Sequence, residues 1–240
     1  MTNKAIKFTD VVFQVKDKTI LQNITGAIQE NKITALVGPS GAGKSTLLKL
    51  CNGLISPTTG EIFIAGNNIT TYNPVDLRRK VGIALQSAPM IRGTVYNNLN
   101  ISKELQGKKL TEEEAIQFLE MVSLDESFLH KNIDDISGGE RQRISLARTL
   151  VNDCDTLLLD EITSALDQKA VHEVEQLIQN LQEEKALTII WITHDMEQAK
   201  RVADDVWVLI DGKLEETGST AVLHASKNER VQQFLQGGIV

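Results

Sequence analysis

The nine residues GPSGAGKST at positions 38–46 restrict what this chain can fold into more than any other stretch. They match the spacing G-x-x-x-x-G-K-[ST] and stand between an apolar run, KITALV, and a helical pattern, STLLKLCNGL. That context predicts a loop joining a buried strand to a helix, with its backbone N–H groups turned toward phosphates. The whole stretch, Gly38, Pro39, Ser40, Gly41, Ala42, Gly43, Lys44, Ser45 and Thr46, is assigned to nucleotide binding. Gly41 and Gly43 let the loop curl, Lys44 brings a charge to the β and γ phosphates, and Ser45 offers its hydroxyl to Mg²⁺. An ordinary glycine-rich turn between strand and helix would ask for neither the lysine nor the hydroxyl.

Such a loop needs a sheet to carry it. Before it, AIKFTDVVFQV and TILQNITGAI read as strands of a small antiparallel sheet, with KITALV as one buried strand. GEIFIAG and VGIALQ read as further strands. From about Ser87 to Asn152 the pattern turns helical: TVYNNLNISKEL, TEEEAIQFLEMVSL and ERQRISLARTL. The second of these opens on a Thr111–Glu114 capping box and places Ala115, Ile116, Leu119 and Val122 on one face. Strands and helices then alternate again. TLLLDE and ALTIIWITH are continuous apolar runs suited to a parallel sheet covered on both faces, with VHEVEQLIQNLQ as a helix between them. VWVLI and KLEETG flank Asp211 and Gly212, a type I′ hairpin signal. The predicted fold is therefore α/β: a core with a mostly parallel sheet, an N-terminal antiparallel β subdomain and an inserted α-helical lobe. Residues 1–240 form one domain, with 1–86 and 153–240 as the core and 87–152 as the lobe.

Four further segments bear on the chemistry. In TLLLDE the strand ends in carboxylates, so Asp160 can be aimed at Mg²⁺ and its waters, and Glu161 can polarise an attacking water as a general base. Beside a phosphate loop this is a stronger reading than a turn-capping acidic pair. His194 closes LTIIWITH at the strand ends where ligands sit in open α/β sheets, although a lone histidine there is more often structural. Gln86, after VGIALQ, carries little weight alone. In ISGGERQR, at 136–143, Ser137 and Glu140 have capping-box spacing, which explains the helix start but not Gly138 and Gly139. Glycine in a helix costs about 1 kcal/mol relative to alanine. Bare N–H groups at a helix start are a site for an anion.

Charge and composition narrow the partners. A net charge of −7 argues against a broad grip on nucleic acid, which needs a basic footprint. Cys51 and Cys154, the only two cysteines, have no metal-like spacing, so reduced thiols are expected. No apolar run reaches the roughly 18 residues that suggest a membrane span, and MTNKAIKFTD lacks the apolar segment of a signal peptide.

Taken together, the phosphate loop, Gln86, ISGGERQR, LLLDE, SALD at 164–167 and His194 resemble the nucleotide-binding subunit of ATP-binding cassette (ABC) transporters, over nearly the whole chain and in the same order. The resemblance implies a P-loop NTPase core, ATP and Mg²⁺ as ligands, and ATP hydrolysis coupled to transport. It implies that ISGGERQR is the signature motif: Ser137, Gly138, Gly139 and Glu140 would meet the γ-phosphate held by a second copy of the chain, giving a homodimer with two ATP molecules sandwiched between the copies. Asp167 would couple the two sites. Gln86 would reach the metal, with Ser45 and Asp160, and report to an integral-membrane permease; Glu161 would be the base and His194 would contact the γ-phosphate. Location on the inner face of the cell membrane, as a peripheral cytoplasmic subunit, follows from the same resemblance. GTVYNNL, LLLDEITSALD and WITHD carry a narrower likeness to small bacterial ATPases linked to iron export.

Two positions depart from the family pattern. Glu140 replaces the commoner glutamine of the signature. Val15 stands where an aromatic residue usually stacks on adenine, so the platform is weaker; Phe13, on the same face by strict alternation, is the other candidate. The rival reading is a soluble ABC ATPase acting on DNA, ribosomes or a cell-envelope complex. Such proteins usually carry coiled-coil arms, zinc modules or tandem cassettes, none of which this sequence contains. A P-loop kinase or GTPase would leave ISGGERQR and SALD as coincidences.

Overall fold

The computed structural model describes residues 3–238, so residues 1–2 and 239–240 of the expected domain lie outside the described residues. Strands β1 (Lys4–Val15) and β2 (Lys18–Gln29) pair antiparallel, and β3 (Ile33–Val37) follows with every residue buried. Helix α1 (Lys44–Cys51) leads to β4 (Thr59–Ile64) and the short β5 (Asn67–Asn68). After α2 (Pro74–Lys80), with Pro74 in its first turn and Asn73 as its cap, comes β6 (Val81–Ala84). The two strands GEIFI and VGIA go to different sheets. β4 extends the antiparallel sheet, in the order β2-β1-β4-β5, whereas β6 is an edge of the main sheet.

Next are α3 (Val95–Glu104), α4 (Glu112–Met121) and α5 (Gly138–Leu150). Both capping boxes expected from the spacing are formed, Thr111 with Glu114 and Ser137 with Glu140. Ala115 and Leu119 on α4 and Val122 at its C-terminal cap are fully buried on one side, where Leu119 contributes about 1.5–3 kcal/mol by leaving water. They join Val95, Leu99 and Ile144 in a core that continues without a break to Leu157, Leu159 and Trp191 of the sheet. The helical insertion therefore stands on the sheet through shared apolar packing.

The chain then alternates: β7 (Thr156–Asp160), α6 (Gln168–Lys185), β8 (Thr188–Ile192), α7 (Met196–Val202), β9 (Asp205–Ile210) and β10 (Lys213–Ser219). Two short helices, α8 (Val222–Ala225) and α9 (Glu229–Leu235), complete it. The main sheet runs β10-β9-β3-β8-β7-β6, with β10 antiparallel at one edge and all other neighbours parallel. Asp211 and Gly212 both have positive φ, 48° and 75°, as a type I′ turn requires. The order places β8 between β3 and β7, so the loops after these three strands open on one edge of the molecule. That is where an α/β sheet presents a ligand site.

Candidate nucleotide site

The site is built from the ends of those three strands. After β3 the chain turns at Gly38, whose φ of 147° is matched by a lack of room: a Cβ there would lie 1.9 Å from the Leu209 carbonyl oxygen. Gly41 is the opposite case. Its φ is 78°, yet nothing lies within 4 Å of where a Cβ would be, so its backbone faces open space. Gly43 caps α1 in the left-handed region with no side-chain hydrogen bond. The first N–H groups of α1 thus have no side-chain cap, which suits an anion.

Lys44 is only 7% exposed. Its Nζ donates to the carbonyls of Gly38 at 2.7 Å and Pro39 at 2.8 Å, which curls the loop around the ammonium. Burial pulls its pKa below the ordinary lysine value, and the nearby carboxylates of Glu161 and Asp160 oppose that shift. Ser45 Oγ donates to Asp160 Oδ1 at 2.9 Å, joining the start of α1 to the end of β7. Glu161 follows at φ 49°, with its N–H bonded to the Ile192 carbonyl at 3.2 Å, and its carboxylate lies 3.8 Å from His194 Nδ1. A cavity of about 440 Å³ is lined by Ser40, Lys44, Ser45, Thr46, Glu161 and His194, with Ile20 as its apolar wall.

Phe13 and Val15 do not line that cavity among the described residues. Phe13 packs partly buried against the core beneath the antiparallel sheet, and Val15 is half exposed. The register explains the position of Ile20. Phe13 faces Leu21 and Gln14 faces Thr19, so Ile20 is an extra residue bulged out of the ladder. Alternation cannot reveal such a residue, although the apolar Ile20 among TILQ was visible.

Gln86 lies outside the cavity lining; its Nε2 donates to Ser164 Oγ at 2.9 Å, and that hydroxyl donates to the Glu161 carbonyl at 2.9 Å. Ser137 caps α5, accepting from the Glu140 N–H at 3.3 Å, while Glu140 Oε2 accepts from the Ser137 N–H at 2.7 Å. These bonds to Ser137 hold the Glu140 pKa below its ordinary value. A Cβ on Gly138 would meet nothing within 4 Å, and one on Gly139 would only touch Ala170 and Leu166. Asp167 is exposed and caps α6 through the Ala170 N–H at 3.0 Å. None of Ser137, Gly138, Gly139, Glu140 and Asp167 lines the phosphate-loop cavity among the described residues.

A second cavity of about 460 Å³ opens at the opposite ends of the strands, near Lys80, Asp155 and Lys185. Lys80 is already paired with Asp155 at 3.3 Å, and the described residues that line the space include no glycine loop leading into a helix, so it lacks the phosphate chemistry of the first.

An uncapped helix start behind a glycine loop, a buried lysine, a hydroxyl bonded to an aspartate and a glutamate beside a histidine define a nucleotide-hydrolysing P-loop site. Residues 21–164 match the family model described as ABC transporter, and the chain belongs to that family. It is 46% identical to YjkB of Bacillus subtilis, named as an ABC transporter ATP-binding protein, over 91% of this chain and 87% of that one. It is 38% identical to FetA of Escherichia coli, named for iron export, over 85% and 90%. It is 36% identical to the methionine import protein MetN of Rhizobium meliloti, over 91% and 63%. Among solved structures, cbiO1 of Clostridium perfringens, part of the complex cbiONQ, superimposes with a TM-score of 0.84 at 27% identity, covering 98% of this chain and 96% of that one. The dimeric cassette MJ0796 superimposes with a TM-score of 0.80 at 30% identity over 90% and 98%, and is also known in a post-hydrolysis state with ADP and Pi. The chain is an ATP-binding ATPase of a transporter family.

Proposed function

We propose that two copies of this chain close around two ATP molecules and that hydrolysis drives a separate integral-membrane permease from the inner face of the cell membrane. The observation that carries this reading is the division of the site. The phosphate loop, Glu161 and His194 share one cavity, while the glycine-rich start of α5 lies off it with free space above Gly138. A second copy supplies what that space would receive. Supporting it, the similar cassette MJ0796 is a dimer.

Within each site Lys44 would take the β and γ phosphates, Glu161 would accept the proton of the attacking water, and His194 would contact the γ-phosphate. The water oxygen bonds to the γ-phosphorus as the P–O bond to the β-phosphate breaks, so that ADP is the leaving group and inorganic phosphate is the other product. Ser45 Oγ and Asp160 Oδ1, 2.9 Å apart, are the hard oxygen donors that Mg²⁺ selects, so they fit that ion; Gln86, two residues past the end of β6 and bonded to Ser164, would have to leave that hydroxyl to join them. When bound, Mg²⁺ would neutralise charge on the phosphates.

The sandwich has a direct test. Ser137→Arg is expected to abolish ATP-dependent dimerisation in size-exclusion chromatography and to lower turnover at least tenfold, while each monomer still binds ATP. Ser137→Ala, which loses only a cap worth about 1 kcal/mol, separates the two effects. An arginine variant as active as the parent would sink the sandwich.

Among the described residues no helix is long and apolar enough to cross a membrane. A tagged chain is expected to co-purify in stoichiometric amount with a multi-span protein from detergent-solubilised membranes. Recovery with ribosomes or a soluble DNA-bound complex instead would favour a non-transport ABC ATPase. The narrower reading, outward transport of iron, rests on the 38% identity to the iron-export protein and is opposed by 36% identity to a methionine importer. Near-equal likeness to both directions fits an engine whose cargo is chosen by the permease.

A further inference from the structure

Beneath the site lies a buried polar chain that the phosphate chemistry does not use. Thr163 is 8% exposed, Gln198 1% and Glu175 4%, and they come from three different segments: the loop after β7, helix α7 and helix α6. The Thr163 hydroxyl donates to Gln198 Oε1 at 3.2 Å, and Gln198 Nε2 donates to Glu175 Oε1 at 3.0 Å. Glu175 is anchored in turn by Arg201, whose Nη2 and Nε donate to its two oxygens at 2.7 and 3.2 Å, and by His172 Nδ1 at 3.2 Å. Burial raises the Glu175 pKa, but the bonds from Arg201 and Gln198 outweigh it and leave the value below the ordinary one.

A core can be filled more simply than this. Apolar groups of similar volume often stabilise as well as a buried ionic network, so packing alone does not account for polar residues of three segments bonded end to end. Their place in the chain does. Thr163 is two residues after Glu161, and the carbonyl of Glu161 is fixed by the Ser164 hydroxyl and N–H at 2.9 and 3.1 Å. Gln198 is four residues after His194, and its own N–H donates to Asp195 Oδ1 at 3.1 Å, next to that histidine. Asp195 is held back on Thr193 by a further bond of 3.0 Å. The Thr163–Gln198 bond therefore ties the segment bearing Glu161 to the segment bearing His194, whose side chains stand 3.8 Å apart.

We infer that Thr163 and Gln198, braced by Glu175 and Arg201, are positioning residues that set the spacing of Glu161 and His194 for hydrolysis. Neither Thr163 nor Gln198 lines the phosphate-loop cavity among the described residues. Severing the tie lets α7 drift from the loop after β7, and a shift of about 1 Å at reacting groups costs on the order of 10²-fold in rate. The inference rests on Glu161 and His194 acting as proposed above.

The test is steady-state ATP hydrolysis by the purified full chain with Thr163→Val, Thr163→Ser and Glu161→Gln measured side by side. Thr163→Val keeps the volume and removes the hydroxyl. It is expected to lower kcat about tenfold or more with KM for ATP within about twofold, because the phosphate loop is untouched. Thr163→Ser restores the hydroxyl and is expected to return kcat to within about twofold of the parent. Gln198→Met, similar in length and without hydrogen bonds, cuts the tie from the other side and is expected to match Thr163→Val; it also serves if the valine variant does not fold. Should kcat survive both cuts, or the serine variant be as slow as the valine one, the positioning role is overturned while the site reading stands. Should Glu161→Gln hydrolyse like the parent, the reading of the site falls first and the inference with it.

Discussion

Glu161→Gln is expected to lower ATP turnover by about 10²–10⁴-fold, the usual contribution of a positioned general base, while ATP affinity stays close to that of the parent. The structure separates these two outcomes. The Glu161 side chain is 27% exposed at the mouth of the cavity, and its backbone is fixed independently by the N–H bond to Ile192 and the carbonyl bonds from Ser164. An amide of the same shape leaves those bonds intact. It removes only the group that can take a proton. Lys44, whose ammonium is supported by both Glu161 and Asp160, keeps Asp160 and so keeps its charge for the phosphates. With binding retained and hydrolysis blocked, the variant is expected to accumulate as an ATP-bound dimer, visible as an earlier elution peak in size-exclusion chromatography with Mg·ATP. Calorimetric titration reports the affinity and phosphate release reports the turnover. Parental turnover in this variant would remove Glu161 from the base role and leave Asp160 or a water chain to be tested.

What the sequence discloses about this molecule divides by the range of the interactions concerned. Ser137 with Glu140, Thr111 with Glu114, and Asp211 with Gly212 are each settled within four residues, and each forms as its spacing predicts. The phosphate loop belongs to the same class, because strand, loop and helix start are contiguous. Partnership between distant strands is another matter. GEIFI and VGIA are equally convincing strands, but nothing local says that one joins the antiparallel sheet and the other the parallel one. The bulge that sends Ile20 to the cavity wall is likewise a property of the β1–β2 register, so attention falls on Val15 and Phe13 when sequence alone is read. Thr163, Gln198 and Glu175 are least legible of all. Each is an ordinary polar residue in its own segment, and each acquires meaning only when three segments converge.

Lys44→Ala is expected to weaken ATP binding about 10- to 100-fold, since a charge-assisted hydrogen bond contributes about 1.5–3 kcal/mol, and to abolish turnover at ordinary nucleotide concentrations. The lysine is a poor contributor to the fold without ligand. Its pKa is lowered by burial, which means the folded chain disfavours the charged form relative to the unfolded one, so stability attributable to this group rises as pH climbs through the folded pKa toward the unfolded value. Truncation removes that desolvation cost but strands the buried carbonyls of Gly38 and Pro39, which now receive its hydrogen bonds. These effects oppose one another, and the ligand-free melting temperature is expected to stay close to the parent. The difference emerges when nucleotide is added. At a concentration of 100 times the parental Kd, ligand binding stabilises the parent by about 2.7 kcal/mol, which for a chain of this size raises Tm by about 5–11 °C. The alanine variant at the same concentration is expected to show a shift of about half the parental one or less. An undiminished shift would mean that the phosphates are held by the loop's N–H groups and the start of α1 alone, and that Lys44 serves the architecture of the empty loop rather than its ligand.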